Sequence, residues 1–266
     1  MIFILGGFWL HPVSFFITGL VIVAGTQYEY YLLIKNSGVR PQLIPGMIAG
    51  ASVYILSTLI AAKIIQMKFF LLLIPLIILI IIIELYRKQE KPFDSLAHTF
   101  FPVLYTAFPV SLFPFTAYGS QGLNALLPGW TMPFSPEIVV GFFLLLWAND
   151  IGAYLVGISA GRHRLMERIS PKKSWEGFFG GLILALICAW LLSGWLQMIN
   201  RTGWLIISLI ISLAGTYGDL AESMFKRSIG VKDSGTIMPG HGGFLDRFDS
   251  AVFSFPLVFL FILLFG

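Results

Sequence analysis

Four polar side chains on one face of a predicted helix are the strongest candidates for chemistry in this sequence. The spacing i, i+3, i+4 and i+7 places them on one side of an α-helix: Asp219, Glu222, Ser223 and Lys226. Three of them carry oxygen atoms, and oxygen ligands suit a hard cation such as Mg²⁺. A solvated loop is the alternative, but Asp219 and Glu222 enter an apolar segment in which solvation is not the default.

A glycine-rich segment with charges on both sides follows this helix. Residues 239–243 hold three glycines within four positions: Gly240, Gly242 and Gly243. Because glycine has no side chain, backbone N–H groups there can approach a phosphate closely. Asp246 and Asp249 come next, three residues apart, and can face Asp219 across a helix pair. The pattern indicates carboxylates for a metal ion, and glycines with nearby cations for phosphate groups.

A second polar segment follows another apolar run, which ends with Asn-Asp at 149–150. Further along, Ser170 and Pro171 predict the N-cap and the first residue of a helix. Lys172 and Lys173 would then oppose the helix dipole unless an anion binds beside them. Ordinary cytosolic lysines of a membrane protein are the alternative.

The elements that must position these residues are membrane-spanning helices. Hydrophobic residues make up 57% of the 266 positions and charged residues 11%, and the mean hydropathy is +0.87, which excludes a soluble globule, a disordered chain and a fibrous repeat. The single cysteine, Cys188, allows no disulfide framework. A span needs roughly 20 apolar residues, and such runs lie near 14–34, 44–65, 69–86, 98–117, 137–156, 177–197, 203–225 and 250–265.

The sequence therefore predicts an all-α, polytopic integral membrane bundle of eight or nine transmembrane helices. The ninth would be residues 1–10, continued past His11-Pro12. Kinked or broken helices are expected at four prolines within spans: Pro75, Pro102, Pro109 and Pro114.

Three further acids lie within or at the ends of spans: Glu29, Glu84 and Glu176. A charge at mid-membrane costs about 2.5–3.5 kcal/mol on insertion scales, so each intramembrane acid is a functional candidate. Glu84 is near a span end, from which it can reach the interface. Glu29 is either an interfacial group or a buried partner.

Lysine and arginine are distributed unequally between the loops, which sets the orientation. Alternate loops hold 14 and 3 of them, so the four rich loops are predicted to face the cytosol. The loop 118–136 has no basic residue and is predicted to lie outside.

Three functions compete on these residues alone. The first is an enzyme that transfers a phosphorylated group to or from a membrane lipid. The second is an ion-coupled transporter with intramembrane carboxylates, and the third is a scaffold that binds anionic lipid. A transporter needs no glycine-rich loop flanked by Asp and Lys, and a scaffold needs no carboxylates beside the cations. The enzyme is favoured.

The polar segments resemble those of phosphatidate cytidylyltransferases, also called CDP-diacylglycerol synthases. The resemblance is carried by Ser-Met-Phe-Lys-Arg at 223–227, Lys-Asp-Ser-Gly at 232–235, Pro-Gly-His-Gly-Gly-Phe-Leu-Asp-Arg-Phe-Asp at 239–249, Asn-Asp-x-Gly-Ala-Tyr at 149–154 and Ser-Pro-Lys-Lys-Ser-Trp-Glu-Gly at 170–177. Ser174 stands where that family usually has threonine, and it keeps the hydroxyl. The first 130 residues resemble the family only as hydrophobic spans.

The resemblance implies that CTP and phosphatidate react to give CDP-diacylglycerol and pyrophosphate, with Mg²⁺ and with or without a second cation. The implied metal ligands are Asp219, Asp246, Asp249, Glu222, Ser223 and Asp150. The implied catalytic set comprises Asp219, Asp246, Asp249, Lys226, Arg227, Lys232, Arg247 and His241. The implied substrate-binding set comprises Lys172, Lys173, Ser170, Asn149, Gly240, Gly242 and Gly243. A CTP-dependent lipid alcohol kinase is the alternative enzyme.

The resemblance also implies a homodimer embedded in membrane lipid, with no nucleic-acid partner. We expect residues 1–135 to form N-terminal spans and residues 136–266 to form the spans that carry the catalytic residues, the two acting as one functional unit. The active site is expected in a polar cavity open to the cytosol, in the inner membrane if the source is bacterial.

Overall fold

The computed structural model describes residues 2–118, 134–231, 234–235 and 243–265. The helices are α1 (Ile2–Leu10), α2 (Pro12–Asn36), α3 (Leu43–Ala61), α4 (Leu73–Tyr86), α5 (Pro92–Pro102), α6 (Phe108–Ser111), α7 (Phe113–Ala117), α8 (Glu137–Ala160), α9 (Trp175–Leu192), α10 (Arg201–Ser228) and α11 (Leu245–Phe265). A 3₁₀ helix, Met67–Leu72, leads into α4. The strands are β1 (Arg164–Met166) and β2 (Ser170–Ser174), which pair antiparallel.

Eight helical segments among the described residues are long and apolar enough to cross a membrane. They correspond to the eight predicted spans, so the predicted all-α, polytopic membrane fold is confirmed. Among the described residues, helix α1 does not continue past His11-Pro12 as a ninth span would require, because α1 ends at Leu10 and a separate helix, α2, begins at Pro12. His11 separates the two helices and accepts a hydrogen bond at Nδ1 from the Val13 N–H, at 3.1 Å.

The chain divides into two compact units, Met1–Ser135 with Asp233–Arg247, and Pro136–Lys232 with Phe248–Gly266. The first unit therefore includes a short segment from late in the sequence. Helices α1 to α7 form most of it, and α2 and α3 pack side by side. The rings of Phe8, Phe15 and Phe113 meet edge to face in its core, at centroid distances of 5.0 and 5.8 Å.

Prolines break the fourth span, as predicted. Pro102 ends α5, a π-helical turn follows over Val103–Ala107, and α6 and α7 are short helices with Pro109 and Pro114 in their first turns. Just before Pro75 the third span changes from the 3₁₀ helix Met67–Leu72 to α4, so the helix is irregular there. Pro75 lies in the first turn of α4, where a backbone N–H has no intrahelical acceptor to lose.

The second unit packs α8 along α9, and α9 along α10. The predicted helix start at Ser170-Pro171 is wrong, because residues 170–174 form strand β2 and pair with β1. The cap is Ser174, whose hydroxyl accepts a hydrogen bond from the Gly177 N–H at 3.1 Å. Lys172 and Lys173 therefore lie on a strand that leads into α9, and not in the first turn of a helix.

Helices α10 and α11 approach each other closely at Gly218. A Cβ atom there would lie 2.6 Å from the Cβ of Phe253 and 2.9 Å from the backbone oxygen of Asp249. Nothing larger than glycine fits without moving a helix. Because of this close contact, the polar face of α10 and the turn of α11 that carries Asp249 lie side by side.

Candidate active site

Three carboxylates meet where α10 passes α11. Asp219 and Glu222 come from α10 and Asp249 from α11, and each offers an oxygen atom within 4.8 Å of the other two. Glu222 is 1% exposed and Asp249 is 7% exposed, whereas Asp219 is partly open. Like charges at this distance repel strongly in a poorly solvated site, so positive charge beside the cluster stabilises it.

Two ammonium groups supply part of that charge. Lys173 Nζ lies 2.6 Å from Asp219 Oδ2, and Lys226 Nζ lies 2.6 Å from Glu222 Oε2. The Lys226 pair joins residues one turn apart on α10, as the sequence spacing predicted. Lys173 comes from β2, so the short hairpin carries a cation to the acidic face of α10.

A cavity of about 370 Å³ lies beside the cluster. Its polar lining consists of Asn149, Asp150, Tyr154, Lys172, Lys173, Ser174, Thr216, Asp219 and Ser250. Helices α8, α9, α10 and α11 and strand β2 all contribute to it. The cavity is thus lined both by the second polar segment, around 149 and 170–177, and by the acidic helix α10. Sequence spacing alone could not show that these two parts of the chain meet.

The donor set fits a hard divalent cation. Carboxylate oxygens from two helices converge, and Ser223 Oγ donates a hydrogen bond to Asp219 Oδ1 at 3.3 Å, which places a further oxygen at the edge of the cluster. Asp150 is exposed and lines the cavity. The predicted metal ligands Asp219, Glu222, Asp249 and Ser223 are therefore brought together on adjoining turns of two helices.

Asp246 has different surroundings. It lies in the first turn of α11, and its Oδ2 accepts hydrogen bonds from the N–H groups of Ser234 and Gly243, both at 3.1 Å. The Gly243 N–H, predicted to bind phosphate, is thus directed at a carboxylate here. Asp246 and Gly243 belong to the first compact unit, whereas Asp219, Glu222 and Asp249 belong to the second.

The remaining predicted residues differ in how far the structure describes them. Arg227 and Arg247 are exposed, and Arg227 Nη1 donates to the Val231 carbonyl at 3.5 Å. Ser170 begins strand β2 and does not line the cavity. Four predicted residues lie outside the described residues: Lys232, His241, Gly240 and Gly242.

Sequence reasoning missed two contributions. Ser174 caps α9 and lines the cavity. Its position immediately before a long apolar run is a helix-start signal that could have identified it. Glu29 contacts residues more than 200 positions away, and no local spacing could have revealed that pairing.

Comparison with known proteins places this arrangement in a family. Residues 1–265 match the sequence profile of the cytidylyltransferase family. The chain belongs to that family.

Curated relatives of this cytidylyltransferase-family chain bear a more specific name. It is 51% identical over 118 residues to a phosphatidate cytidylyltransferase of Staphylococcus aureus, and 52% identical over 118 residues to one of Staphylococcus saprophyticus. A phosphatidate cytidylyltransferase of Staphylococcus epidermidis is 46% identical over 117 residues. Each match covers 44% of this chain and 45% of the relative, so the chain spans about half the length of the curated relatives it matches.

Proposed function

We propose that this protein is a phosphatidate cytidylyltransferase, which makes CDP-diacylglycerol and pyrophosphate from CTP and phosphatidate. The observation that carries the proposal is the cluster of three carboxylates paired with two lysines beside a polar cavity. Family membership and the names of the similar Staphylococcus proteins support it.

The reaction is a displacement at phosphorus. A phosphate oxygen of phosphatidate attacks the α-phosphorus of CTP, a new P–O bond forms, and the bond from that phosphorus to the bridging oxygen of the β-phosphate breaks. The electron pair leaves with pyrophosphate. The attacking phosphate is already ionised at neutral pH, so the reaction needs no strong general base, and the main barrier is repulsion between two polyanions.

The side chains around the cavity are suited to reduce that repulsion. Lys173 is 25% exposed, which leaves its ammonium group able to turn from Asp219 towards a substrate phosphate. Lys172 lines the same cavity and is exposed. Lys226 is 12% exposed and is paired with buried Glu222, so its first effect is to keep that carboxylate ionised and in place.

We further propose that Mg²⁺ binds at Asp219, Glu222 and Asp249, with Ser223 and Asp150 beside them, while Asp246 stays a metal ligand predicted from the resemblance. When bound, such an ion stabilises the charge that develops on the transferred phosphoryl group and on the leaving pyrophosphate. The convergence of three carboxylates supports this assignment, since their oxygen atoms lie within 4.8 Å of one another and a hard divalent cation prefers such ligands.

The location of the reaction is part of the same proposal. One substrate is dissolved in water and the other in the bilayer, so the site has to be reached from both. The unequal distribution of basic residues supports a cytosolic active site, which lies in the inner membrane if the source is bacterial. A homodimer in membrane lipid stays a prediction from the resemblance.

The test uses purified protein in detergent–lipid micelles with phosphatidate and CTP labelled at one phosphorus. Label at the α-position should appear in lipid, and label at the γ-position should appear in pyrophosphate. Transfer of γ-label to a lipid alcohol would instead identify a lipid kinase and contradict the proposal.

Turnover should also stop after exhaustive chelation and return with Mg²⁺, and full activity in the chelated sample would contradict the metal assignment.

A further inference from the structure

Glu29 is a buried acid of α2 whose contacts lie at the far end of the sequence. It is 1% exposed. Its Oε2 accepts hydrogen bonds from Ser234 Oγ at 3.1 Å and from the Leu245 N–H at 2.8 Å. Within the described chain, its Oε1 has no hydrogen-bond partner, and no lysine or arginine forms an ion pair with it.

Glu29 and Asp246 both accept hydrogen bonds from Ser234 and from the segment 243–245. Asp246 Oδ2 accepts from the N–H groups of Ser234 and Gly243, while Glu29 accepts from the Ser234 hydroxyl and from Leu245. Ser234 is therefore bound to both carboxylates. In sequence, these contacts enclose the glycine-rich segment that the resemblance assigns to catalysis.

The glycines at these points make room for the Glu29 carboxylate. A Cβ atom on Gly243 would overlap Glu29 Oε2 and Ser234 Oγ, and one on Gly235 would lie 2.9 Å from Glu29 Oε1. One turn earlier on α2, a Cβ on Gly25 would lie 2.8 Å from the ring of Phe244. The contact therefore involves two successive turns of α2 and leaves no space for alternative packing.

Glu29 also acts on the start of helix α11. Leu245 is the first residue of that helix, and an N–H at this position has no intrahelical acceptor. The Glu29 carboxylate supplies the acceptor from another helix, and its negative charge lies at the positive end of the helix dipole. The next residue along α11 is Asp246, so the same contact fixes the turn that carries the predicted metal ligand.

Glu29 forms no ion pair with a lysine or arginine among the described residues. A carboxylate removed from water is costly unless it is paired, and Glu84, the other buried acid among the described residues of the first unit, is paired with Arg87. We propose that Glu29 is a positioning residue for nucleotidyl transfer, acting by clamping Ser234 and the N-terminus of α11 so that Asp246 keeps its catalytic orientation. This inference rests on the proposed function and adds a residue that the sequence left unassigned.

The main test compares Glu29→Gln with wild-type protein. Glutamine keeps the shape but removes the charge and one acceptor oxygen. We expect kcat to fall about 10- to 100-fold, the range typical of residues that orient metal ligands, and the Mg²⁺ concentration for half-maximal activity to rise. The KM for phosphatidate should stay within about twofold, because substrate contacts are left in place.

Hydrogen–deuterium exchange without substrate tests the clamp separately from activity. Peptides covering 234–246 should exchange faster in Glu29→Gln than in the wild type, because the neutral amide oxygen accepts more weakly than a carboxylate from the Leu245 N–H and the Ser234 hydroxyl. Unchanged exchange would overturn the clamp. Faster exchange with unchanged kcat and Mg²⁺ dependence would overturn the positioning role. If wild-type protein fails to make CDP-diacylglycerol, the proposed function fails while the exchange comparison still tests the clamp.

Glu84→Gln is the matched control, since it neutralises another buried acid of a spanning helix. It should leave kcat and Mg²⁺ dependence unchanged, and an equal loss in both variants would overturn a specific role for Glu29.

Ser234→Ala removes a single hydrogen bond to Glu29 and keeps the proposal testable if Glu29→Gln fails to fold. We expect it to shift exchange and Mg²⁺ dependence in the same direction but less, and a wild-type result for both would count against the clamp.

Discussion

Buried acids occur in two very different settings in this molecule. In the first unit, Glu84 is 3% exposed, and its Oε2 receives Arg87 Nη1 at 2.8 Å and Gln42 Nε2 at 2.7 Å. In the second unit, three carboxylates crowd within 4.8 Å and pair with two lysines. The single acid thus contacts a guanidinium and an amide, whereas the three acids lie against one another, with Lys173 and Lys226 beside two of them.

The difference shows how to separate structural from functional charge in a membrane protein. A single acid with a single fixed base is self-contained, and its role is to tie helix ends together. Carboxylates that crowd together repel one another, and such an arrangement is typical of sites where a ligand supplies positive charge. The cluster is therefore where chemistry is expected, and Glu84 is where a loss of stability is expected.

The largest expected effect is that of Asp219→Ala. Turnover should fall by about a thousandfold or more, because metal coordination supplies several kcal/mol of transition-state stabilisation. The measurement is CDP-diacylglycerol formation by purified protein, with helical content and thermal unfolding checked in the same detergent. Near-wild-type turnover would show that Asp219 is not part of the site. The distinction between functional acids in the cluster and the structural acid Glu84 would then fail.

A smaller effect is expected for Lys173→Ala, which removes the cation paired with Asp219. We expect kcat/KM for CTP or phosphatidate to fall by roughly 10- to 100-fold, since a charge-assisted contact to phosphate is worth about 1.5–3 kcal/mol. Arg168→Ala on the exposed hairpin loop is the control, because Arg168 does not line the cavity. Equal kinetics for the wild type and both variants would mean that the basic hairpin acts only in membrane orientation.

Much of this organisation follows from sequence patterns that act over short distances. Apolar runs predicted the spans, prolines predicted the break after α5, and helical spacing placed Ser223 beside Asp219 and Lys226 beside Glu222. These features depend on backbone geometry within a few turns, so local sequence is sufficient to predict them.

The errors and omissions concern longer range. The Ser170-Pro171 pair resembles a helix start, but pairing of β2 with β1 overrides that local preference and moves the cap to Ser174. The contacts of Glu29 with Ser234 and Leu245 join residues from opposite ends of the chain. An isolated acid in an apolar helix indicates that a partner exists, but its identity depends on tertiary packing.

The smallest effect on catalysis is expected for Glu84→Gln. The free energy of unfolding should fall by about 1–3 kcal/mol, because Arg87 and Gln42 lose a charged acceptor in a buried site. The kcat of the folded protein should be unchanged. Thermal unfolding and initial rates on the same preparation give both quantities, and a large loss of kcat without a loss of stability would place Glu84 among the functional acids.

The central claim is that the acids of α10 and α11 hold a divalent cation, and metal binding without substrate tests it most directly. Mn²⁺ can replace Mg²⁺, and its free concentration can be followed by electron paramagnetic resonance during titration of detergent-solubilised protein. We expect Mn²⁺ to bind to wild-type protein and to Glu84→Gln, and to bind much more weakly to Asp249→Asn. Equal binding by all three proteins, or no binding by the wild type, would contradict the account.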